Sequence, residues 1–374
     1  MNILMFISNN LSFDTRVKRH LKTLAPTSDQ LTVFLRPIPD ESIHLALPNL
    51  DYHFFKWVPL PYPASQTLCK NAKEMDVLQD ILPACPLLLD DEYYMKNNMV
   101  FQQELQDKMI HAKRWEEVLE GIPEEADLLS QIGWVISFMD CTIQWAYEGI
   151  NYPADVVYCN DIDTLLCGVA HKKKYGSRLI YDEHDIYSDM FPGHFPRMHR
   201  NLLALLEYKL LPYVDVLLGV SESEINWIKK TNGVRVQSAV ICNCTDSDAV
   251  SSFSSKTPQV PLRVYYHGTI DNSRGVAETI KALALVDDVI LVLRCFDCDY
   301  LETMKELVKE LSLQKRVSFL TPVESTIVAK VAREDGDIGI HACSNIKSID
   351  IEVSLTNKFI EYLTAGLPVI NQRT

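Results

Sequence analysis

Long hydrophobic runs are absent from this chain of 374 residues. No uninterrupted apolar stretch approaches the ~18 residues that a membrane-spanning helix requires. Met1 leads directly into Asn-Ile-Leu-Met-Phe-Ile-Ser, without the basic region and the cleavage site of a secretory signal peptide. The sequence therefore predicts a protein of the cytoplasm.

Basic residues are also fewer than acidic ones. The chain has 36 Lys and Arg against 50 Asp and Glu, which gives a formal net charge of −14 at pH 7. A field of that sign opposes non-specific binding to nucleic acid and to an anionic membrane surface. We expect no nucleic-acid partner and at most a peripheral contact with a membrane, and a phosphate-bearing ligand needs local basic residues.

Metal-binding patterns are equally scarce. Cys295 and Cys298 form one C-x-x-C, but no second pair or His cluster follows it at the spacing of a zinc site. Asp161 and Asp163 belong to an Asn-Asp-Ile-Asp sequence, yet they head a predicted helix and are equally typical of helix caps. The other cysteines lie in apolar stretches, which indicates buried thiols in a reducing compartment. We predict neither a metal nor a resident cofactor.

Short apolar runs alternate with helical patterns in the first part of the chain, which is typical of βα units around a parallel sheet. We predict strands at residues 3–8, 31–35, 156–159, 179–181, 216–220 and 239–242, and helices at 14–24, 163–175, 201–211 and 223–230. Residues 60–150 break the pattern and predict a helical insert. Its apolar stripe from Leu128 to Trp145 is more typical of core packing than of a contact with a lipid-linked acceptor.

The same alternation restarts after a Ser- and Pro-rich stretch at residues 247–261. We predict strands at 263–266, 289–293, 317–320, 338–341 and 368–371, and helices at 275–285, 300–311, 325–333 and 357–364. The chain also exceeds the roughly 250–300 residues at which a single core stops growing. The predicted fold is α/β, with an N-terminal Rossmann-like domain at 1–247 and a C-terminal one at 248–374.

Parallel sheets bind ligands at the carboxyl ends of their strands, near the point where the strand order reverses. Residues 267–275, His-Gly-Thr-Ile-Asp-Asn-Ser-Arg-Gly, follow a predicted strand and open a predicted helix. Such a loop lets backbone N–H groups approach an anion, and the guanidinium of Arg274 fits the geometry of phosphate oxygens. By itself this pattern also occurs in α/β proteins that bind no phosphate.

Lys358 and Glu361 lie three residues apart, so that on a helix they share one face. Glu361 is able to accept two hydroxyl protons from a ribose, and Lys358 is able to meet a phosphate. The alternative is an ordinary surface ion pair. His184 follows a predicted strand, where it is placed to donate to a sugar or phosphate oxygen; the alternative is a structural His with satisfied partners.

Six motifs in sequence order resemble glycosyltransferase family 4, a retaining family with the GT-B fold, over most of the chain outside the insert. The most diagnostic is Lys-Phe-x-Glu-Tyr-Leu-x-Ala-Gly-Leu-Pro-Val, beginning at Lys358. The matching segments are 12–17, 154–161, 179–185, 220–221 with 240–243, 268–275 and 358–368.

The resemblance implies two facing Rossmann-like domains and retaining transfer of a hexosyl-type sugar from a nucleotide-sugar donor to an acceptor hydroxyl of a glycan or glycolipid. It implies catalytic roles for His184, Arg274 and Lys358, with Arg274 neutralising the donor diphosphate and Glu361 binding the ribose. The expected donor-binding residues are Gly268, Thr269, Arg274, Ser354, Leu355, Thr356, Lys358 and Glu361, and the expected acceptor-side residues are Asn10, Asp14, Arg16 and Asp161.

The chain departs from the family pattern at three places. The first Glu of the Glu-x7-Glu motif falls at Val353, the common Gly-Arg pair becomes Gly268-Thr269, and Asn9-Asn10-Leu11 replaces the Gly-rich first loop. Backbone amides at 354–356 then replace a carboxylate at the donor sugar. The fold normally continues with another βα unit and a return helix, so the end at Thr374 predicts either a truncated chain or a missing brace.

Two other functions fit the same resemblance. A non-catalytic glycosyltransferase-like subunit explains Val353 and Thr269, and it binds substrate without transferring sugar. A nucleotide-sugar epimerase of the same fold requires catalytic carboxylates around a free nucleotide product. By family analogy, the predicted transferase acts in cell-envelope polysaccharide or glycoconjugate synthesis.

Overall fold

A computed structural model of the chain describes residues 1–9, 11, 14–36, 45–55, 138–139, 141–189, 197–245, 257–258, 260–343, 349–353 and 355–371. The chain divides into two compact units, Met1–Ile241 (unit 1) and Cys242–Thr374 (unit 2). The predicted boundary after residue 247 and most of the predicted insert lie outside the described residues and stay predictions. Within the described part, no helix is long and apolar enough to cross a membrane.

Unit 1 contains a seven-stranded sheet in which every pair of neighbouring strands is parallel. The strand order is β3-β2-β1-β4-β5-β6-β7, so the chain builds outward from β1 in one direction and then continues from β4 in the other. The strands are β1 (Asn2–Phe6), β2 (Gln30–Leu35), β3 (Leu50–Phe54), β4 (Val156–Asn160), β5 (Arg178–Asp182), β6 (Val216–Gly219) and β7 (Gln237–Val240).

Four helices of unit 1 have complete bounds: α1 (Thr15–Leu24), α2 (Ile162–Tyr175), α3 (Arg197–Leu210) and α4 (Glu222–Asn232). Residues 141–149 are also helical. Asp14 caps α1 by accepting from the Val17 amide at 2.9 Å, and Ser221 caps α4 by accepting from the Glu224 amide at 3.0 Å. The α2 helix ends at Gly176, whose φ of 71° is the left-handed geometry of a C-terminal cap.

The residues of β1 alternate between two cores, as a strand with both faces buried requires. Ile3 and Met5 pack into one cluster, and Leu4 and Phe6 into the other. Trp145, the last member of the predicted apolar stripe, is buried and stacks on Phe55 with ring centroids 5.3 Å apart. The described end of the stripe is therefore core packing, and residues 128–135 lie outside the described part.

Unit 2 contains a five-stranded parallel sheet with the order β10-β9-β8-β11-β12. Its strands are β8 (Leu262–His267), β9 (Val289–Arg294), β10 (Val317–Leu320), β11 (Ile338–His341) and β12 (Val369–Asn371). Its helices are α5 (Val276–Leu283), α6 (Asp299–Glu310), α7 (Val328–Asp335), α8 (Ile349–Val353) and α9 (Asn357–Thr364).

The α/β fold class is confirmed, and every predicted strand and helix overlaps an observed one. The strand β3, Leu-Asp-Tyr-His-Phe, escaped prediction because it lies at the edge of the sheet and none of its residues is fully buried. In each unit the strand order reverses at one place, between β1 and β4 and between β8 and β11. Ligands of open parallel sheets bind at the carboxyl ends of such strands.

Candidate functional site

The loop between β8 and α5 in unit 2 lies at the strand-order reversal and is shaped by two glycines. Gly268 has a φ of 111° and Gly275 a φ of 63°, both in the region that disfavours residues with a Cβ. A Cβ on Gly275 would lie 3.1 Å from the carbonyl carbon of Ala342, directly after β11. Glycine therefore lets the start of α5 sit against the end of the neighbouring strand.

Lys358 reaches this loop from the first turn of α9. Its Nζ lies 5.3 Å from the centroid of the Tyr266 ring, within the range of a cation–π contact. A Cβ on Gly268 would lie 3.4 Å from the same Nζ. Burial first, and then the charge of Arg274, lower the pKa of Lys358 to about 8.

Arg274 precedes α5 and lies in the same electrostatic field. Its Nε is 3.8 Å from Oδ2 of Asp271, and 24% of its side chain is exposed. Burial first, and then the charges of Lys358 and Arg274, lower the pKa of His341, against the hydrogen bond that His341 shares with Asn371. The structure thus brings two cations, Arg274 and Lys358, to one edge of the sheet.

Glu361 pairs with His267 and not with Lys358. Its Oε2 lies 2.7 Å from Nε2 of His267, the last residue of β8. Only 16% of the Glu361 side chain is exposed. In the part of the chain that the structure describes, Lys358 forms no salt bridge with Glu361 or with any other carboxylate. The alternative of a surface ion pair between Lys358 and Glu361 is therefore not what the geometry shows.

The residues before α9 are held by local hydrogen bonds. Thr356 is the N-cap, and its Oγ1 accepts from the Phe359 amide at 3.4 Å and lies 3.0 Å from Nε2 of His341. The carbonyl of Leu355 accepts from Nδ2 of Asn243 at 2.7 Å. Ser354 lies outside the described residues. These contacts fix the N-terminus of α9 beside the two cations.

Thr269 is exposed where the family pattern has an arginine. Its carbonyl accepts from the Tyr266 hydroxyl at 2.5 Å, which holds the loop against the ring that lies under Lys358. Asp271 closes the loop, because its Oδ1 accepts from the Ser273 amide at 2.7 Å. The side chain of Thr269 adds no charge, so the local cations are Arg274 and Lys358.

Asp161 lies at the strand-order reversal of unit 1, directly after β4. Asp161 occupies the N-cap position of α2 with a φ of 61°, but its side chain forms no capping hydrogen bond. Its Oδ1 instead accepts from the His184 amide at 3.0 Å. Asp14 is likewise committed, since Oδ2 accepts from Nδ2 of Asn9 at 2.8 Å. Asn10 lies outside the described residues.

Arg16 is buried and forms an ion pair that sequence reasoning did not anticipate. Its Nη2 lies 2.6 Å from Oδ1 of Asp182, and its Nη1 donates to the carbonyl of Ile241. The Tyr158 hydroxyl donates to Oδ2 of Asp182 at 2.7 Å, and Nδ1 of His20 lies 3.3 Å from the same oxygen. Asp182 is fully buried and contacts Arg16, Tyr158 and His20.

His184 is placed between two carboxylates. Its Nε2 lies 3.3 Å from Oδ2 of Asp182, and its Nδ1 lies 3.5 Å from Oδ2 of Asp161. Burial opposes the charge of the ring, but Asp161 and then Asp182 raise the pKa of His184 to about 10. Burial likewise raises the pKa of Asp182, but His184 and then Arg16 lower it below its ordinary value. The two carboxylates therefore favour the imidazolium form of His184.

Contributing residues that were not singled out from the sequence include Tyr158, Asp182, Tyr266, His267 and His341. Asp182, His267 and His341 share one signal, because each is a polar residue at the last position of its strand. In a parallel sheet, that position faces the ligand-binding edge. The two tyrosines lie inside strands and carry no such signal.

No protein-family model and no curated protein sequence matches the chain. Solved structures do match. Sucrose-phosphate synthase from Thermosynechococcus elongatus superposes with a TM-score of 0.64 at 12% identity, covering 99% of this chain and 81% of its own. HepE from Anabaena, in complex with UDP and glucose, superposes with a TM-score of 0.55 at 15% identity, covering 99% of this chain and 80% of its own.

A third similar structure is the apo form of the lipopolysaccharide outer core galactosyltransferase WaaB, with a TM-score of 0.53 at 12% identity, covering 99% of this chain and 80% of its own. These identities are low, so the likeness concerns the fold. The chain has the GT-B fold of these glycosyltransferases, with two parallel-sheet α/β units.

Proposed function

We propose that the chain is a glycosyltransferase whose unit 2 binds a nucleoside diphosphate sugar. The observation that carries this proposal is the convergence of Lys358 and Arg274 on the Gly268–Gly275 loop at the strand-order reversal. Within the described residues, Lys358 forms no salt bridge that would neutralise its charge. A diphosphate supplies the missing negative charge.

The proposed reaction breaks the bond between the anomeric carbon of the sugar and the diphosphate oxygen, and joins that carbon to an acceptor hydroxyl oxygen. Negative charge develops on the leaving diphosphate, and the acceptor loses its proton. Lys358 and Arg274 are preorganised where that charge develops, which is the arrangement that accelerates such a step most. The N-terminal amides of α5 add partial positive charge on the same side.

Glu361 is assigned to the ribose of the donor. A carboxylate accepts hydrogen bonds from two adjacent hydroxyls, and Glu361 lies on the same helix as Lys358, three residues further on. A nucleotide whose diphosphate contacts Lys358 therefore has its ribose within reach of Glu361. Thr356 and Leu355, held at the start of α9, lie next to the phosphate side of this assignment.

The similar structures support the proposal that the chain binds a nucleotide sugar. HepE was solved with UDP, with UDP and glucose, and with UDP-glucose, so a protein of this fold binds a nucleotide sugar. WaaB is a galactosyltransferase of the lipopolysaccharide outer core. We propose a uridine or related nucleotide sugar as donor and a glycan or glycolipid of the cell envelope as acceptor.

Membership of glycosyltransferase family 4 and retention of the anomeric configuration belong to the same proposal. The block from Lys358 to Pro368 supports them, since its resemblance to that family is the most specific in the chain. The anomeric configuration of the product, read from its proton NMR coupling constant, tests retention. A product of inverted configuration would remove the assignment to a retaining family.

Asn10, Asp14, Arg16 and Asp161 stay predicted acceptor-side residues, and His184 stays a predicted catalytic residue. A direct contact between His184 and a sugar oxygen requires its ring to leave Asp161 or Asp182. Arg16 is already committed to Asp182 and the Ile241 carbonyl. We propose that these two contacts fix the guanidinium of Arg16 on the acceptor side.

Release of nucleoside diphosphate from UDP-, GDP- and ADP-sugars tests the proposed activity. We expect one donor to be consumed faster when a glycan acceptor is added, and Arg274→Ala and Lys358→Met to reduce that rate at least a hundredfold. Binding of nucleotide without turnover of any donor would indicate a non-catalytic binding subunit. Interconversion of sugars that needs no acceptor would indicate an epimerase.

A further inference from the structure

His267 ends the central strand of the unit 2 sheet and connects it to α9. Its side chain is only 8% exposed, and its ring meets the Tyr362 ring edge to face, with centroids 4.9 Å apart. The backbone N–H of His267 donates to the Tyr362 hydroxyl at 3.3 Å. The ring is therefore held in one place before its polar contact with Glu361 is considered.

The hydrogen bond between His267 and Glu361 fixes which ring nitrogen carries the hydrogen. A carboxylate only accepts, so Nε2 of His267 donates to Oε2 of Glu361 across 2.7 Å. The other ring nitrogen, Nδ1, is buried and has no hydrogen-bond partner among the residues that the structure describes. Among the described residues, the side chain of His267 thus has a single polar contact, and that contact is Glu361.

Glu361 has one carboxylate oxygen left for a ligand. Within the described part of the chain, His267 is its one hydrogen-bond partner, and the side chain keeps 16% of its surface exposed. A free Glu side chain loses rotamer freedom when it binds a ligand, and that loss weakens binding. With Oε2 already held by a buried ring, much of this loss has occurred before the nucleotide arrives.

We propose that His267 is a positioning residue for nucleotide recognition. By holding Oε2 of Glu361, it directs the carboxylate at the ribose hydroxyls and so sets a preference for ribonucleotides over 2′-deoxyribonucleotides. This inference rests on the proposed binding of a nucleoside diphosphate by unit 2. It adds a residue 94 positions away from Glu361 in the sequence to the donor site.

Calorimetric titration of the full chain with UDP, GDP and ADP and with their 2′-deoxy counterparts tests this role. His267→Phe keeps an aromatic ring against Tyr362 but removes the donor, whereas His267→Gln restores an N–H near the position of Nε2. We expect His267→Phe to weaken ribonucleotide binding about tenfold and to leave deoxyribonucleotide binding almost unchanged. His267→Gln should recover most of the ribose preference.

A double-mutant comparison separates positioning from a merely structural contact. Glu361→Gln should also reduce the ribose preference, and adding His267→Phe to it should change nucleotide affinity no further. If His267→Phe fails to fold, His267→Asn replaces it, because its shorter amide does not reach Glu361. An unchanged ribose preference in the folded variant would overturn the inference.

The two proposals fail in different ways. If the wild type binds none of the three ribonucleotides, the proposed function of unit 2 is wrong and the role of His267 is wrong with it. If the wild type binds a ribonucleotide and its deoxy counterpart equally well, the role of His267 and the assignment of Glu361 to the ribose are overturned, while binding of a nucleoside diphosphate by unit 2 stands.

Discussion

The ammonium group of Lys358 lies 5.3 Å from the centroid of the Tyr266 ring and 3.4 Å from the point that a Cβ on Gly268 would occupy. A charged lysine in that place is costly unless a ligand supplies the opposite charge, because burial and Arg274 both disfavour the ammonium form. The charge of Lys358 should therefore favour a bound anion and cost stability in the free protein.

Nucleotide affinity should fall as pH rises above about 8. The pKa of Lys358 is lowered to about 8, so the ammonium form is lost just above neutrality. At pH 9 we expect affinity for the bound nucleoside diphosphate to be up to about tenfold weaker than at pH 7.5, since about a tenth of the lysine stays charged. Calorimetric titration across pH 7.5–9.5 measures this dependence.

Lys358→Arg is the matched control for that titration. A guanidinium stays charged over the whole range, so affinity for the nucleotide should no longer depend on pH in the variant. An equally steep fall in both proteins would show that Lys358 is not the titrating group.

Lys358→Met should stabilise the free protein while it abolishes nucleotide binding. The pKa of Lys358 is lower in the folded chain than its ordinary value of 10.5, so the folded state binds fewer protons between about pH 8 and 10.5. Stability from this group therefore rises with pH over that window and is lowest below it. At pH 7 we expect a gain on the order of 1–3 kcal/mol in Lys358→Met, measured as a higher Tm.

Lys281 provides the control for the stability measurement, because it is an exposed lysine on α5. Lys281→Met should leave both the Tm and nucleotide binding nearly unchanged. A lower Tm for Lys358→Met than for the wild type would contradict the picture of a strained, preorganised charge.

Arg16→Met should destabilise unit 1 by about 1.5–3 kcal/mol, because it removes a charge-assisted hydrogen bond to a buried carboxylate and leaves Asp182 with His184 as its remaining counter-charge. Adding Asp182→Asn to Arg16→Met should cost less than the sum of the two single changes, since the carboxylate that loses its partner is then gone. Urea unfolding of the four proteins, followed by tryptophan fluorescence, measures the coupling. Additive effects would show that Arg16 and Asp182 act independently.

Gly275→Ala should be more harmful than Gly176→Ala, although both glycines have positive φ. A Cβ at Gly176 meets nothing within 4 Å, so that change costs only the backbone strain, about 1 kcal/mol. A Cβ at Gly275 lies 3.1 Å from the backbone of Ala342, which forces the loop and β11 apart. We expect a larger drop in Tm and, in this variant alone, weaker nucleotide binding. Equal effects on nucleotide affinity would contradict the assignment of the loop.

The sequence predicts much of the fold because the βα pattern is local. Each strand of unit 2 is a short apolar run, and the Gly268–Gly275 loop after β8 carries its own signal in two glycines and an arginine. The edge strand β3 carries almost none, since Leu50 and Tyr52 are only partly buried and Asp51 and Phe54 are exposed. Edge position weakens the alternation that identifies a strand.

The proposed donor site can be predicted only in part from the sequence. Lys358 and Glu361 share a helical face, which the spacing of three predicts, but their partners come from elsewhere: Tyr266 for one and His267 for the other. Arg16 and Asp182 are 166 positions apart, and nothing local to either residue indicates their ion pair. Such pairs are set by the order of the strands, which appears only once the sheet is formed.

Titration calorimetry with UDP, GDP and ADP on the wild type and on Arg274→Ala/Lys358→Met tests the central claim most directly. We predict that at least one nucleoside diphosphate binds the wild type with a dissociation constant of about 1 mM or lower, and that the double variant binds it at least about a hundredfold more weakly. Binding of equal strength to both proteins, or binding of none of the three nucleotides to the wild type, would contradict it.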